Sequence, residues 1–283
     1  MDVMRHLLFL VIPLVAACTP DSFASADAGD AGHGGGDDAE GSPDVGSGGG
    51  DGGGTCAPND NACQGMTIQR GFCSDFDLDT AGTVPSSWTD QSTSGSALVD
   101  PTSFHSCPHS LLASLPPEPD AGVPEVGWRA YASRAPVGGA SGAIAKVTLD
   151  LWVNLPNPHS YVSFFALAYD NSGGTPSAIA LSHHVDQNWY IDSTDPTTPV
   201  QVELPYVPLT GDWNHMTLVV PLGSVAGPVV LTYTDDKQVT RTATSAAVAL
   251  SGSNVSAALG IAALGGTEAA FKAYYDDVVL TVQ

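Results

Sequence analysis

From about Gly71 to Gln283 the chain runs in short stretches whose apolar residues recur at every second position, separated by clusters of Gly, Pro, Asn and Asp. No long segment carries the apolar period of a helix. This pattern is the strongest constraint on the fold, because a period of two places alternate side chains on opposite faces of a strand and cannot form the single stripe that a helix buries. Lys146 to Val153 is the clearest case: Val147, Leu149, Leu151 and Val153 share one face, with Thr148, Asp150 and Trp152 on the other. Trp213 to Val220 likewise sends Met216, Leu218 and Val220 to one side, and Tyr161 to Tyr169 is apolar on both faces, as a central strand is. Further strands are expected at Ala178 to Val185, Asn188 to Ile191, Val200 to Leu204, Val229 to Thr234, Gln238 to Thr244, Val255 to Ala262 and Phe271 to Val282. About ten to twelve strands with no helices between them predict an all-β antiparallel sandwich of roughly 210 residues and argue against a βαβ fold.

Ahead of this domain the chain changes character twice. Residues 1–17 hold one early cation, Arg5, then the apolar run Leu7 to Val15, which is too short to span a bilayer comfortably and has the layout of a cleaved export signal. The run ends in Val15-Ala16-Ala17-Cys18, which resembles the bacterial lipobox. That resemblance implies lipid attachment to Cys18, removal of residues 1–17 and a mature chain beginning at Cys18. No other segment approaches the roughly 20 apolar residues of a transmembrane helix, so the lipid is the one membrane anchor expected. Thr19 rather than Asp follows Cys18, which by the same resemblance favours the outer membrane of a Gram-negative cell over the inner one.

Residues 18–55 are almost wholly Gly, Asp, Ala and Ser, a composition that cannot bury enough apolar surface to offset its ordering entropy. A flexible tether with a reach on the order of 35 Å is expected. Its glycines do not form a phosphate loop, since no strand precedes them and no helix follows. Of the net charge of −22, nine carboxylates lie in residues 19–62 with no Lys or Arg among them, and −13 remains for the rest. Tether and domain are both acidic, so nucleic acid and anionic lipid are excluded as partners, whereas cations, neutral glycans and basic extracellular proteins stay open.

Apart from Cys18 there are four cysteines, Cys56, Cys63, Cys73 and Cys107, an even set in a chain sent to an oxidising compartment. Two disulfides are expected. Three connectivities are open; pairing Cys56 with Cys63, within a small lead-in at 56–70, and Cys73 with Cys107 is favoured. A zinc site using His105 and His109 with these thiols fits no familiar ligand spacing.

Within residues 71–283 the order of motifs resembles the concanavalin A-like jelly rolls, the superfamily of laminin-G-like domains and bacterial glucanases. The resemblance is carried by Phe72-Cys73-Ser74-Asp75-Phe76-Asp77 with Trp88 beyond it, by Cys107-Pro108-His109-Ser110-Leu111-Leu112, by Val147 to Val153, by Trp213-Asn214-His215-Met216-Thr217-Leu218, and by the closing Tyr274-Tyr275-Asp276-Asp277-Val278-Val279-Leu280. It implies a last strand lying beside the first, and a packing role for Trp213. It also implies a calcium site where the first and last strands meet, for which Asp75, Asp77, Asp276 and Asp277 are the candidates and carboxylate oxygens the right donors.

Fold alone does not assign function. Glucanases of this superfamily place two glutamates on one strand, but the domain's glutamates, Glu118, Glu125, Glu203 and Glu268, are scattered and the pair is absent. A lyase site could use His183, His184, Tyr190 and Arg241, although adjacent His183 and His184 on a strand face opposite ways and cannot share one metal. Glycan recognition needs exposed rings beside polar side chains. Candidates are Trp152 with Asp150, and Trp189, Tyr190, His183 and His184, with Tyr161 and Tyr169 as further rings. The expected function is therefore a non-catalytic, surface-tethered module that binds polysaccharide or another extracellular partner. A divergent hydrolase or lyase and a structural protein without ligand are the alternatives.

Overall fold

The computed structural model of the chain describes residues 63–93, 95–116, 128–134, 137–138, 144–158, 161–170, 176–195, 198–223, 225–252, 254–263 and 270–283. The signal, Cys18, the tether and Cys56 lie outside the described residues. So do Glu118, Glu125 and Glu268.

Sixteen strands and no helix occur among the described residues. They are β1 (Gly71–Ser74), β2 (Trp88–Asp90), β3 (Ser96–Asp100), β4 (Ser110–Leu115), β5 (Trp128–Arg134), β6 (Val137–Gly138), β7 (Lys146–Asn154), β8 (Val162–Asp170), β9 (Pro176–His183), β10 (Trp189–Ser193), β11 (Gln201–Glu203), β12 (Trp213–Pro221), β13 (Gly227–Thr234), β14 (Thr240–Val248), β15 (Asn254–Ala263) and β16 (Phe271–Val282). All pairing is antiparallel. The first sheet has the order β14-β13-β12-β7-β16-β4-β3, with β1 also on β16; the second has the order β11-β10-β9-β8-β15-β5-β2, with β6 also on β15. Crossovers between two such sheets make the antiparallel jelly-roll sandwich that the motif order implied. The last strand does run beside the first, Phe72 facing Leu280 in register. Gly71 begins that contact because a Cβ there would sit 1.8 Å from the Leu280 carbonyl oxygen.

The alternation read in the sequence is what fills the space between the sheets. Val147, Leu149, Leu151 and Val153 of β7 and Met216, Leu218 and Val220 of β12 are fully buried, and they share one core with Phe165, Leu167 and Tyr169 of β8 and Ile179 and Leu181 of β9. Each such side chain contributes on the order of 1.5–3 kcal/mol by leaving water. Strand limits differ from expectation where local geometry intervenes. Pairing of β4 starts at Ser110 rather than Cys107, and β9 ends at His183 because Val185 belongs to the exposed turn that leads into β10.

Two features tie the sheets and termini together. Where β15 and β8 meet, the ladder jumps from Leu259↔Phe165 to Ala262↔Ser163, leaving a mutual bulge with Gly260 at φ 143°. Tyr275, buried on β16 of the opposite sheet, reaches across with its hydroxyl 2.7 Å from the Phe164 carbonyl and 2.8 Å from that of Gly260. The second feature corrects the favoured cysteine pairing. Cys63 is bonded to Cys73, with Cα atoms 5.5 Å apart, and not to Cys56; Cys107 is disulfide-bonded to a cysteine outside the described residues, and not to Cys73. The physical reason is that residues 63–70 double back along β1, fixed by the Cys63 N–H donating to the Asp75 carboxylate at 3.2 Å.

Candidate functional site

The candidates divide between the outward faces of two different sheets. On the second sheet, alternation along β10 sends Trp189 and Ile191 into the core and Tyr190 and Asp192 outward. Register then places Ser182 of β9 and Glu203 of β11 on either side of Tyr190, and Ala180 and Gln201 on either side of Asp192. His184 follows β9 directly, and its Nε2 lies 2.5 Å from Asp192 Oδ2. The His184 ring packs at 4.6 Å from Tyr161 and 4.1 Å from Tyr190, between the two phenols. Tyr190 donates its hydroxyl proton to Asp186 at 2.7 Å, in the turn whose backbone is closed by Asn188 N–H on the same carboxylate and by Gln187 N–H on the His184 carbonyl. Ala178, Ala180 and Ser182 continue the same side of β9 but are buried, and Ser182 meets Ser163 of β8 at 2.9 Å.

Electrostatics keep these phenols protonated. Burial first, and then the Asp192 charge, push Tyr161 up to about 12, against hydrogen bonding with Ser182 and Ser163. The bond to Asp186 raises Tyr190, and the same bond lowers Asp186. Opposite the Asp192 carboxylate, the His184 Nε2 is placed as the hydrogen-bond partner. The cluster therefore offers donors, acceptors and ring faces together, which is the equipment for holding hydroxylated rings. Phenols held this firmly in the protonated form are poorly suited to act as bases at neutral pH.

His183 and Trp189 belong elsewhere. Each is only 3% exposed, and they face the core edge to face at 5.3 Å, with Phe164 stacked on Trp189. As ligand contacts they are corrected to core residues: strand parity that turns His184 and Tyr190 outward necessarily turns these two inward. Tyr169 is likewise buried in the core. Arg241 sits on β14 of the first sheet, where its guanidinium is engaged by Asp235 at 2.6 Å and lies 3.9 Å over the Tyr206 ring.

Trp152 and Asp150 occupy the outward face of the first sheet, apart from the β9 and β10 residues of the second. His105 stacks on Trp152 at 3.7 Å and His215 at 5.0 Å, so the indole already has two imidazole partners. Asp150 is bonded to His215 at 2.9 Å and to the Thr217 hydroxyl at 2.6 Å. Trp213 meets His105 edge-on at 5.9 Å, which agrees with a packing role.

The proposed calcium carboxylates do not converge. Among the described residues no group of three or more metal-ligating side chains comes together. A bulge on β16 between Asp276 and Val279, with Asp277 at φ 50°, turns both adjacent carboxylates toward the 105–106 loop. Asp276 accepts from the N–H groups of His105, Ser106 and Asp277 at 2.8–2.9 Å, and Asp277 accepts from the Ser106 hydroxyl and bonds His105 Nδ1. Burial, then the Asp277 charge, push Asp276 up to about 9 while these amides pull back. Asp75 is turned instead to Cys63, and Asp77 to the His109 N–H at 3.4 Å. These residues fasten loops.

Sequence reasoning missed Asp186 and Asp192 on the second sheet and the pairing of His105 and His215 with Trp152. Asp192 was accessible in principle, since it stands two residues from Tyr190 on the same strand face. The rest joins segments distant in sequence.

No protein-family model and no curated protein matches the chain. Among solved structures it is similar to the cellulose-induced protein Cip1, at 14% identity and TM-score 0.49 over 74% of this chain and 96% of that one. It is similar to lectin II from Ulex europaeus, at 12% identity and TM-score 0.48 over 77% and 100%. It is similar to the alginate lyase from Klebsiella pneumoniae, at 8% identity and TM-score 0.41 over 62% and 82%. These are likenesses of fold alone; the antiparallel two-sheet sandwich stands on this chain's own strand order.

Proposed function

We propose that this chain is an exported, lipid-anchored module that binds glycan without turning it over, through the outward face of the second sheet. The observation that carries the reading is the grouping of Tyr161, His184 and Tyr190 around Asp192. Rings supply stacking surfaces, and the His184–Asp192 pair and protonated phenols supply directed hydrogen bonds. The reading as non-catalytic is supported by the absence of the glucanase glutamate pair and by the engagement of Arg241 with Asp235 and the Tyr206 ring. Export and anchoring at Cys18, with an outer-membrane destination, are supported by the lipobox-like ending of the signal and by cysteines engaged in disulfides, which persist in oxidising compartments.

A glycan array followed by isothermal titration calorimetry tests the site. Binding of a defined oligosaccharide is expected, and Tyr190→Ala or His184→Ala should weaken it by about tenfold, in line with the loss of one well-packed ring contact. Binding that survives both substitutions refutes this location, and release of reducing ends or unsaturated uronates on incubation refutes the non-catalytic reading.

A further inference from the structure

We infer that the ligand held at this face carries protonated amines, which makes it an amino sugar with free ammonium groups; the inference rests on the glycan-binding reading above. Between Lys146 and Lys237 the sequence contains no Lys or Arg, and β8, β9, β10 and β11 with their connections all fall in that interval. Carboxylates do occur there, and three gather about one ring. Glu203 stands directly across from Tyr190 in the β10–β11 ladder, Asp192 is on the same strand face, and Asp186 accepts the Tyr190 hydroxyl. The second sheet's arginines, Arg129 and Arg134, are on β5, four strands from β10. At about 4.8 Å per strand that is roughly 19 Å, beyond the ~8 Å screening length of physiological salt.

A uronate or sulfate approaching this face would meet the like charge of these carboxylates, while Arg241 of β14, a strand that packs against β11, is already held by Asp235 and the Tyr206 ring. A neutral sugar would use the rings and the hydrogen bonds without a charge term. An ammonium group adds attraction to the carboxylates and to the π-face of Tyr190, whose quadrupole favours a cation. The chemistry thus ranks amine-bearing glycans first and anionic ones last.

The test uses trimers of glucosamine, N-acetylglucosamine and a uronic acid, titrated into the full chain at mildly acidic pH and at low and high salt. Short oligomers limit the bulk attraction of a polycation to an acidic protein. The glucosamine trimer is expected to bind at least about fivefold more tightly than its acetylated twin, an advantage that shrinks with salt. Glu203→Gln should remove most of that advantage, and Asp186→Asn serves in its place if Glu203→Gln fails to fold by circular dichroism. Asp236→Asn, an equal charge change at an exposed position beyond β13, should leave it intact. Equal affinity for the two glucosamine trimers, or tighter binding of the uronate, overturns the charge inference while leaving the site reading standing. An amine preference weakened equally by Glu203→Gln and Asp236→Asn also overturns it, because bulk charge then suffices. Failure of all three trimers to bind, together with a blank glycan array, overturns the site reading itself.

Discussion

Replacing Tyr275 with Phe deletes one hydroxyl and should cost far more than its size suggests. The ring is fully buried, and the hydroxyl sits between the carbonyls of Phe164 and Gly260, at 2.7 and 2.8 Å, where the bulge in the β8–β15 ladder takes them out of regular pairing. Losing the hydrogen bond itself is worth about 1 kcal/mol net, and leaving buried carbonyls without a donor adds about 1–3 kcal/mol. A total of about 2–4 kcal/mol follows, which for a domain of this size is a fall in Tm of roughly 5–15 °C. Urea denaturation followed by tryptophan fluorescence, with calorimetry alongside, reads both quantities. Tyr233→Phe is the control: that ring is equally buried, but its hydroxyl serves one carbonyl, that of Tyr206 at 2.9 Å in a partly exposed setting, so its loss should cost about 1 kcal/mol. If Tyr275→Phe costs no more than Tyr233→Phe, the claim that this hydroxyl closes a gap between the sheets is wrong.

Asp276, raised to about 9 from an ordinary carboxylate value of 3.8, keeps its proton in the folded state through a range in which the unfolded chain loses it. Stability from this group is therefore complete below about pH 4 and falls toward pH 9, by at most about 1.4 kcal/mol per pH unit. Asp276→Asn should flatten the slope of unfolding free energy against pH, whatever it does to absolute stability, and an unchanged slope sinks the assignment. Peptide mapping without reduction should recover Cys63 linked to Cys73, and a Cys63→Ser/Cys73→Ser double variant should lose about 2–3 kcal/mol; a Cys56–Cys63 peptide is the contrary result. Labelling cells that express the chain with radioactive palmitate should mark the protein, and Cys18→Ser should abolish the label; equal labelling of both refutes lipidation at that residue.

The fold was legible wherever one strand face is consistently apolar. Lys146 to Val153 lies within a residue of the observed limits because its alternation runs for eight residues, and Phe271 to Val282 matches the observed strand through its density of apolar and aromatic residues on either side of a bulge. Strands β2 and β3 escaped notice for the opposite reason: Ser96–Asp100 buries only Ala97 and Val99, and two apolar residues do not define a period. Bulges are invisible to periodicity as well. Phe164 and Phe165 are adjacent yet both buried, and Asp276 and Asp277 are adjacent yet both bond the 105–106 loop, because an inserted residue breaks the parity that pattern reading assumes.

The site was legible only in part because parity assigns a face within one strand but not the layer to which that face belongs. It correctly separated His183 from His184, and nothing local said which of them met solvent. That is decided by β10, where Trp189 opposite His183 fills the core and so commits His184 to the outside with Tyr190. The same limit explains why Trp152 looked like a ligand platform. Its strand face does point outward, but His105 and His215, each distant in sequence, stack upon it and pair with Asp277 and Asp150. An outward aromatic is available to a ligand only if its ring faces are not already taken. By that criterion the indole on the first sheet belongs to a closed stack of side chains, whereas Tyr190, with one side on His184 and Glu203 as its strand neighbour at the sheet edge, lies where a bound sugar would meet rings and carboxylates together.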